Sequence, residues 1–537
     1  MSAPAQPTAS TDSSTQQAPT RDYYNRVNDD LLIRIPLTAK RVLELGCGAG
    51  ALGEAFKRRQ PLVEYVGLEL DPEAANRAKA NLAAVHLFNA DHDPLPPAIT
   101  AGAPFDAIIF GDVLEHVRDP WQVVRDFSQL LAPDGCLLTC IPNVQNWWIL
   151  QHLLTLGFQY EDEGLFDRTH IRWFGLKNMA DLHDQAGLRV TDVVPRNLIL
   201  KRDQHSFDDL AKRLAPALPR LNMTPEQFAA KAMPLQFVLR SLPKGSPSRQ
   251  MLLQSIMLKP VGGVNDVRIG VPLKAASSLP EIEVRATVRS AELLQRPAGQ
   301  PKIMIWQRPV HHYEAAKSLL NLVQKDYVVV TEFDDHTMRW PGIEQHEYLT
   351  LTGCHGVQTS TDVLADIFRD LQPPPYQPEI KVFPNMVLAL PERSNFTDHR
   401  LRVFFGALNR EDDWAPIMPG LNQAIAEAKA AGLEIGFEVI HDQGFFDALE
   451  TETKRFQPTC DYPTYLATLA QCEVALMPLA DTLFNRCKSD LKFIEAGAAG
   501  LAVLASPTLY SATLEDGKTG RLIDDPAGFG AAILELA

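Results

Sequence analysis

The stretch Val42-Leu43-Glu44-Leu45-Gly46-Cys47-Gly48-Ala49-Gly50 decides how this 537-residue chain is read. An apolar run ends in glycines at alternate positions, and a helical-looking stretch, 51–58, follows. This pattern predicts a buried parallel strand, a tight turn and a helix N-terminus. Glycine lets the main chain pass beneath a ligand without a Cβ in the way. The helix start adds N–H groups with no partner of their own. A turn of this kind serves a dinucleotide equally well, so the motifs downstream decide between ligands.

Working outward, strands and helices alternate from Arg41 to Asn143, which predicts a parallel sheet with helices on both faces. Further strands are expected at 63–70, 85–89, 105–110 and 136–141. Asp71-Pro72 and Asp119-Pro120 pair a helix cap with a first-turn proline. Glu69 ends the second strand about 20 residues past the glycines, where a carboxylate can accept from both hydroxyls of a ribose.

Four motifs in this order resemble a class I S-adenosylmethionine-dependent methyltransferase: the 42–50 stretch, Gly67-Leu68-Glu69-Leu70-Asp71-Pro72, Asp112-Val113-Leu114-Glu115-His116-Val117, and Ile141-Pro142-Asn143. The resemblance covers roughly 22–261. It implies a seven-stranded Rossmann-like sheet. It also implies that Glu44, Gly46, Cys47, Gly48 and Gly50 cradle the methionine end of the cofactor. Glu69 and Leu70 would meet the ribose, and Asp91 would lie near the adenine.

Asp112, Glu115 and His116 follow the fourth strand, at the carboxyl edge where open α/β folds bind ligands. A helix starting there would put all three on one face by i, i+3, i+4 spacing. Two carboxylates and an imidazole suit general-base removal of a hydroxyl proton, or the holding of a divalent cation that polarises that hydroxyl. His170 is the expected fourth member. The stretch resembles that of methyltransferases that use Mg²⁺, with an Asp in place of their first acid. A capped helix start with a structural histidine is the third alternative.

Strand six is expected at 188–194 and strand seven at 251–258. Between them 198–250 reads as a helical lid insertion, long for a connection that is usually a hairpin. From Lys201 to Lys259 about ten basic residues face four acidic ones, against a net charge of −15 for the whole chain. Such a cover suits an anionic acceptor, or is simply a solvated helix surface.

Residues 262–280 read as a linker. A second alternating pattern follows as two small doubly wound halves, 281–398 and 399–537, with a cleft between them as a favoured ligand location. Phe404-Phe405-Gly406-Ala407-Leu408-Asn409 is a strand, a glycine and a turn with room for a phosphate. Lys488, Lys492 and Glu495 share one face of a helix. A diphosphate needs cations and helix-start N–H groups, and a ribose diol needs a carboxylate. With Phe383-Pro384-Asn385 upstream and Asp516-Gly517-Lys518-Thr519-Gly520 downstream, this region resembles a GT-B glycosyltransferase. The resemblance implies a nucleotide-sugar donor, with Glu495 on its ribose and Lys488 and Lys492 near its diphosphate. Gly406 and Asn409 complete that expected site. Cys487 stands where many retaining members carry a glutamate, which leaves the stereochemistry open. Asp334, Asp335, His311 and His336 are the base candidates of the first half.

Composition bounds the function. The length predicts roughly three or four domains. The acidic balance argues against a nucleic-acid partner. Seven scattered cysteines without a Cys-x-x-Cys pair predict reduced, mostly buried thiols. No signal peptide is read, and no apolar run reaches the ~18 residues of a spanning helix. The expectation is a cytoplasmic protein, with peripheral membrane contact left open and a disordered tail over 1–20. It is read as a bifunctional enzyme of surface-polysaccharide assembly, methylating a hydroxyl and transferring a sugar onto a sugar or lipid-linked glycan. The alternative is a methyltransferase of phenols or quinones fused to a catalytically degenerate glycan-binding module.

Overall fold

The computed structural model describes residues 27–196, 203–246, 250–258, 263–372, 377–392 and 394–537. The tail expected over 1–20 lies outside them. The chain divides into two compact units. The first holds Lys40–Lys57 and Leu62–Pro243, the second Lys244–Ala537.

The first unit is built on one seven-stranded sheet. Its strands are β1 (Arg41–Leu45), β2 (Glu64–Glu69), β3 (Ala84–Leu87), β4 (Phe105–Gly111), β5 (Leu131–Pro142), β6 (Leu188–Arg196) and β7 (Gln236–Pro243). Their spatial order is β3-β2-β1-β4-β5-β7-β6. Only β7 runs antiparallel to its neighbours, β5 and β6. Strands covered by helices on both faces are near-continuous apolar runs rather than alternating ones. That is why Val42 to Leu45 and Ala107 to Phe110 are buried throughout. Leu43, Ile108 and Phe110 pack with Phe127 and Leu182 in one core. The strand order reverses between β1 and β4, so the crevice for a ligand lies where these two strands end.

Strand seven differs from expectation. It lies at Gln236–Pro243, inside the stretch read as an insertion, while Met251–Met257 belongs to the second unit. Arg240 and Ser241 break the apolar pattern of this strand, yet both are buried, beside Asp192 and His183 respectively. The unit boundary accordingly falls at Pro243 rather than 261. The insertion is correspondingly shorter. Its helices Gln204–Leu214 and Pro225–Ala232 pack on Trp147 through Phe207 and Phe228, with Leu218 from the turn between them.

His183 makes a checkable contribution to stability. It is fully buried between Thr139 Oγ1, at 3.1 Å, and Ser241 Oγ, at 2.7 Å. Burial lowers its pKa from 6.5 to about 4. The unfolded chain therefore binds the proton first, and stability present above pH 6.5 is lost as the pH falls toward 4. The loss is on the order of 3 kcal/mol. Denaturant titrations at pH 7 and pH 4.5 should show a smaller drop for His183→Gln than for the parent chain.

The second unit contains two wholly parallel, Rossmann-like sheets. The first has β8 (Met251–Met257), β9 (Ile282–Val288), β10 (Lys302–Gln307), β11 (Tyr327–Glu332), β12 (Gly356–Thr359) and β13 (Glu379–Val382), in the order β13-β12-β11-β10-β8-β9. The second has β14 (Arg400–Gly406), β15 (Glu434–Ile440), β16 (Lys454–Gln457), β17 (Val474–Met477), β18 (Ala502–Ala505) and β19 (Arg521–Leu522), in the order β16-β15-β14-β17-β18-β19. The expected start of this region at 281 moves back to Met251. Part of the expected linker is helical, at Asp266–Gly270 and Val271–Ala276. No described helix is long and apolar enough to cross a membrane.

Candidate functional site

The turn after β1 is shaped by backbone that only glycine adopts easily. Gly46, Gly48 and Gly50 have φ of 73°, 55° and 83°. A Cβ on Gly46 would fall 2.3 Å from Val113 Cγ2. Glu69 pins the turn to the end of β2. Its Oε2 accepts from the Gly48 N–H at 2.7 Å, and its Oε1 accepts from Leu70 and Asp71 N–H at 2.8 and 2.9 Å. Asp91, past β3, accepts from the Arg118 N–H at 2.7 Å. Glu44 sits behind the turn instead of in it. It is 5% exposed and accepts from the Tyr65 hydroxyl at 2.8 Å. Burial pushes its pKa up to about 8, so Glu44 is a prop for the strand end. The Cys47 side chain is also buried, packed against Gly67. A left-handed glycine turn with a carboxylate held against its main chain fits S-adenosylmethionine.

Past β4 the sequence expectation is corrected. Residues 112–119 form a turn, and the helix begins only at Pro120. Asp112 is left-handed, with φ of 53°. It accepts from the Gln236 side chain, and burial raises its pKa to about 6. It is therefore not a member of the cluster that forms beside it. Glu115, His116 and His170 bring one ligand atom each within 4.8 Å of one another, which no other group does among the described residues.

The order within this cluster comes from the loop 167–173. Ile171 and Arg172 N–H both donate to the Glu115 carbonyl, at 2.9 and 3.0 Å. His116 Nδ1 lies 3.2 Å from the Thr169 carbonyl. A carbonyl only accepts, so Nδ1 carries the proton and Nε2 keeps its lone pair. The Thr169 hydroxyl, itself held by Asp167 at 2.7 Å, sits 3.0 Å from the same Nδ1. His170 Nδ1 likewise faces the Leu165 carbonyl at 3.3 Å, and its Nε2 lies 4.0 Å from Glu115 Oε1. Burial lowers the pKa of both imidazoles. Burial, with Asp112 nearby, raises that of Glu115 well above the carboxylate range. Glu115 Oε2 is buried with no hydrogen-bond partner. Two imidazoles oriented through carbonyls and one unsatisfied carboxyl oxygen make a donor set that fits a divalent cation.

The second unit has a cavity of about 350 Å³ between its two sheets. Lys488, Lys492, Arg410 and Glu495 line it, whereas Asn409 does not. Gly406 lines it too and is closely packed: a Cβ there would meet the Phe404 ring at 2.9 Å and Tyr465 at 3.1 Å. The Gly406 carbonyl accepts from Lys492 Nζ. Burial lowers the Lys492 pKa to about 8, with Arg410 adding to the effect. Lys488 Nζ donates to Asp335 at 2.7 Å and rides 4.2 Å above the Phe484 ring. Arg410 is braced by Asp413 at 3.0 Å and by Asn485. Asn385, of the quoted 383–385 motif, accepts from Arg268, which pairs with buried Glu332 at 2.7 Å. Of the four base candidates, Asp334 lines the cavity, ion-paired with Arg308. Asp335 is engaged by Lys488, His336 accepts from the Met338 N–H, and His311 is buried against Trp306.

Sequence reasoning missed Thr169, Asp167, Tyr65, Arg410 and the tyrosines at 462 and 465. Thr169 and Asp167 stand within three residues of His170 in the sequence. The others had no spacing signal.

A family model described as a methyltransferase domain matches residues 20–193. The ubiquinone biosynthesis O-methyltransferase of Xylella fastidiosa (strain 9a5c) is 36% identical over 200 residues, covering 35% of this chain and 78% of that protein. The trans-aconitate 2-methyltransferase of Methylobacterium nodulans (strain LMG 21967 / CNCM I-2342 / ORS 2060) is 32% identical over 123 residues, 23% of this chain and 46% of that one. A solved S-adenosylmethionine-dependent methyltransferase from Archaeoglobus fulgidus aligns over 40% of this chain and 90% of its own, with 13% identity and a TM-score of 0.29. Through its N-terminal part, the chain belongs to the class I methyltransferases.

Proposed function

We propose that the first unit is an S-adenosylmethionine-dependent O-methyltransferase whose acceptor is the hydroxyl of a small phenol-like molecule. The observation that carries this reading is the Glu115–His116–His170 cluster at the carboxyl edge of β4, beside the glycine turn. The two relatives described above are named for ubiquinone biosynthesis and trans-aconitate, so the sugar hydroxyl expected from the sequence gives way to a small acceptor. When bound, the cofactor supplies an electrophilic methyl group. The turn holds it by main chain and Glu69 holds its ribose. His116 Nε2 takes the hydroxyl proton while Thr169 keeps the imidazole in the required tautomer. A lone pair on a neutral ring is needed, and the lowered pKa secures it.

The unpartnered Glu115 Oε2 favours a second reading, in which Glu115, His116 and His170 hold Mg²⁺ or a similar cation that lowers the proton affinity of the hydroxyl. One assay separates the two. The purified chain is given catechol and, separately, a free sugar, with and without chelator. Methylation of catechol that persists in chelator is expected. Loss in chelator with recovery in Mg²⁺ would move the role to the cation, and methylation of the sugar alone would overturn the acceptor class.

For the second unit we propose a GT-B-like nucleotide-sugar site. Burial depresses the pKa of Lys488 and of Lys492, and repulsion from Arg410 adds to both. A cavity whose cations repel one another is relieved by a polyanion such as a diphosphate.

A further inference from the structure

The helix Tyr462–Leu469 begins at Asp461, whose side chain accepts from the Thr464 N–H at 2.8 Å. That start places Tyr462 and Tyr465 three residues apart on one face. The helix Leu491–Ala499 presents Lys492 and Glu495 with the same spacing. The Tyr462 hydroxyl donates to Glu495 Oε1 at 2.6 Å, and the Tyr465 phenol lies near the same carboxylate. All three residues line the cavity, and Glu495 is 3% exposed. Tyr465 is wedged in turn against the Phe404 ring, 5.5 Å between centroids, in the space that Gly406 leaves open.

We propose that Tyr462 and Tyr465 are positioning residues that hold Glu495 as an acceptor for a ribose diol, so that the cavity selects ribonucleoside over 2′-deoxyribonucleoside diphosphates. This rests on the nucleotide-sugar reading of the second unit. An ionised carboxylate has about four lone-pair sites. Tyr462 occupies one of them and Tyr465 stands near the group, so about two remain for a ligand in the cavity. Burial raises the pKa of both phenols, so they stay protonated and remain donors. Burial raises the Glu495 pKa, and the phenols and the Lys492 charge oppose that rise by favouring the ionised carboxylate. A sugar lacking the 2′-hydroxyl leaves one lone pair of a nearly buried carboxylate unmatched. An unsatisfied buried acceptor of this kind weakens binding by about 10- to 100-fold.

The test uses the full chain and calorimetry with UDP, GDP, ADP and CDP, followed by the 2′-deoxy form of whichever binds. The expected result is a ribo form at least about 10-fold tighter than its deoxy form. In Tyr462→Phe the preference for the ribo form should shrink toward one, the ribo form losing more affinity than the deoxy form. A parent chain that binds the two forms equally overturns the proposal while leaving the nucleotide reading in place, and it needs no variant. A Tyr462→Phe chain in which both forms weaken in parallel reduces the tyrosine to a packing role and also overturns it. If none of the four ribonucleotides binds, the reading of the cavity itself falls, and the proposal with it.

Discussion

Gly48→Val should abolish binding of S-adenosylmethionine. Gly48 has φ of 55° and donates its N–H to Glu69 Oε2 at 2.7 Å. An L-residue in this region costs about 1–2 kcal/mol, and a β-branched one more. The turn either keeps its path, and carries an isopropyl group where the cofactor must lie, or opens and releases Glu69. Each 1.4 kcal/mol is tenfold in affinity, so a loss of about 100-fold or more is expected by calorimetry. Gly157→Val is the control. It has the same strained conformation, with φ of 76°, but nothing lies within 4 Å of the added Cβ. Binding should survive there. Unchanged affinity in Gly48→Val would remove the glycine turn as the cofactor site.

His116→Asn should lower kcat by about 10²- to 10⁴-fold, the usual contribution of a general base, with cofactor affinity unaltered. The pH profile gives a second readout. The working ring must be neutral, and burial together with His170 holds its pKa below 6.5. The acid limb of the parent chain should therefore lie below pH 6.5, and it should disappear in the variant. A kcat within threefold of the parent would remove His116 as the base. Loss of cofactor affinity in parallel would instead point to a collapsed loop.

Much of the first unit was legible because its strands are buried on both faces and end in glycines. The run 42–50 permits few alternatives, and Glu69 follows at the distance a ribose demands. The failures have local causes. Residues 112–119 look like a helix start by spacing, but left-handed Asp112 and the late cap at Asp119 turn the chain away. Asp112 then falls to Gln236, more than a hundred residues distant, a partner that no periodicity reveals. Strand β7 was hidden because Arg240 and Ser241 find partners inside the fold. In the second unit Lys488, Lys492 and Glu495 did converge on one cavity. Gly406 lines that cavity as well, although a Cβ on it would meet the Phe404 and Tyr465 rings. Asn409 points the count one residue short of Arg410, which does line the cavity.

That packing of Gly406 bears on how the chain can diverge. With Phe404 and Tyr465 both inside van der Waals reach of the missing methyl group, positions 404, 406 and 465 cannot drift one at a time. A homologue with alanine at 406 should carry a smaller side chain at 404 or 465. If it gives up the tyrosine, a change on the neighbouring strand end would rewrite which nucleotide the molecule prefers.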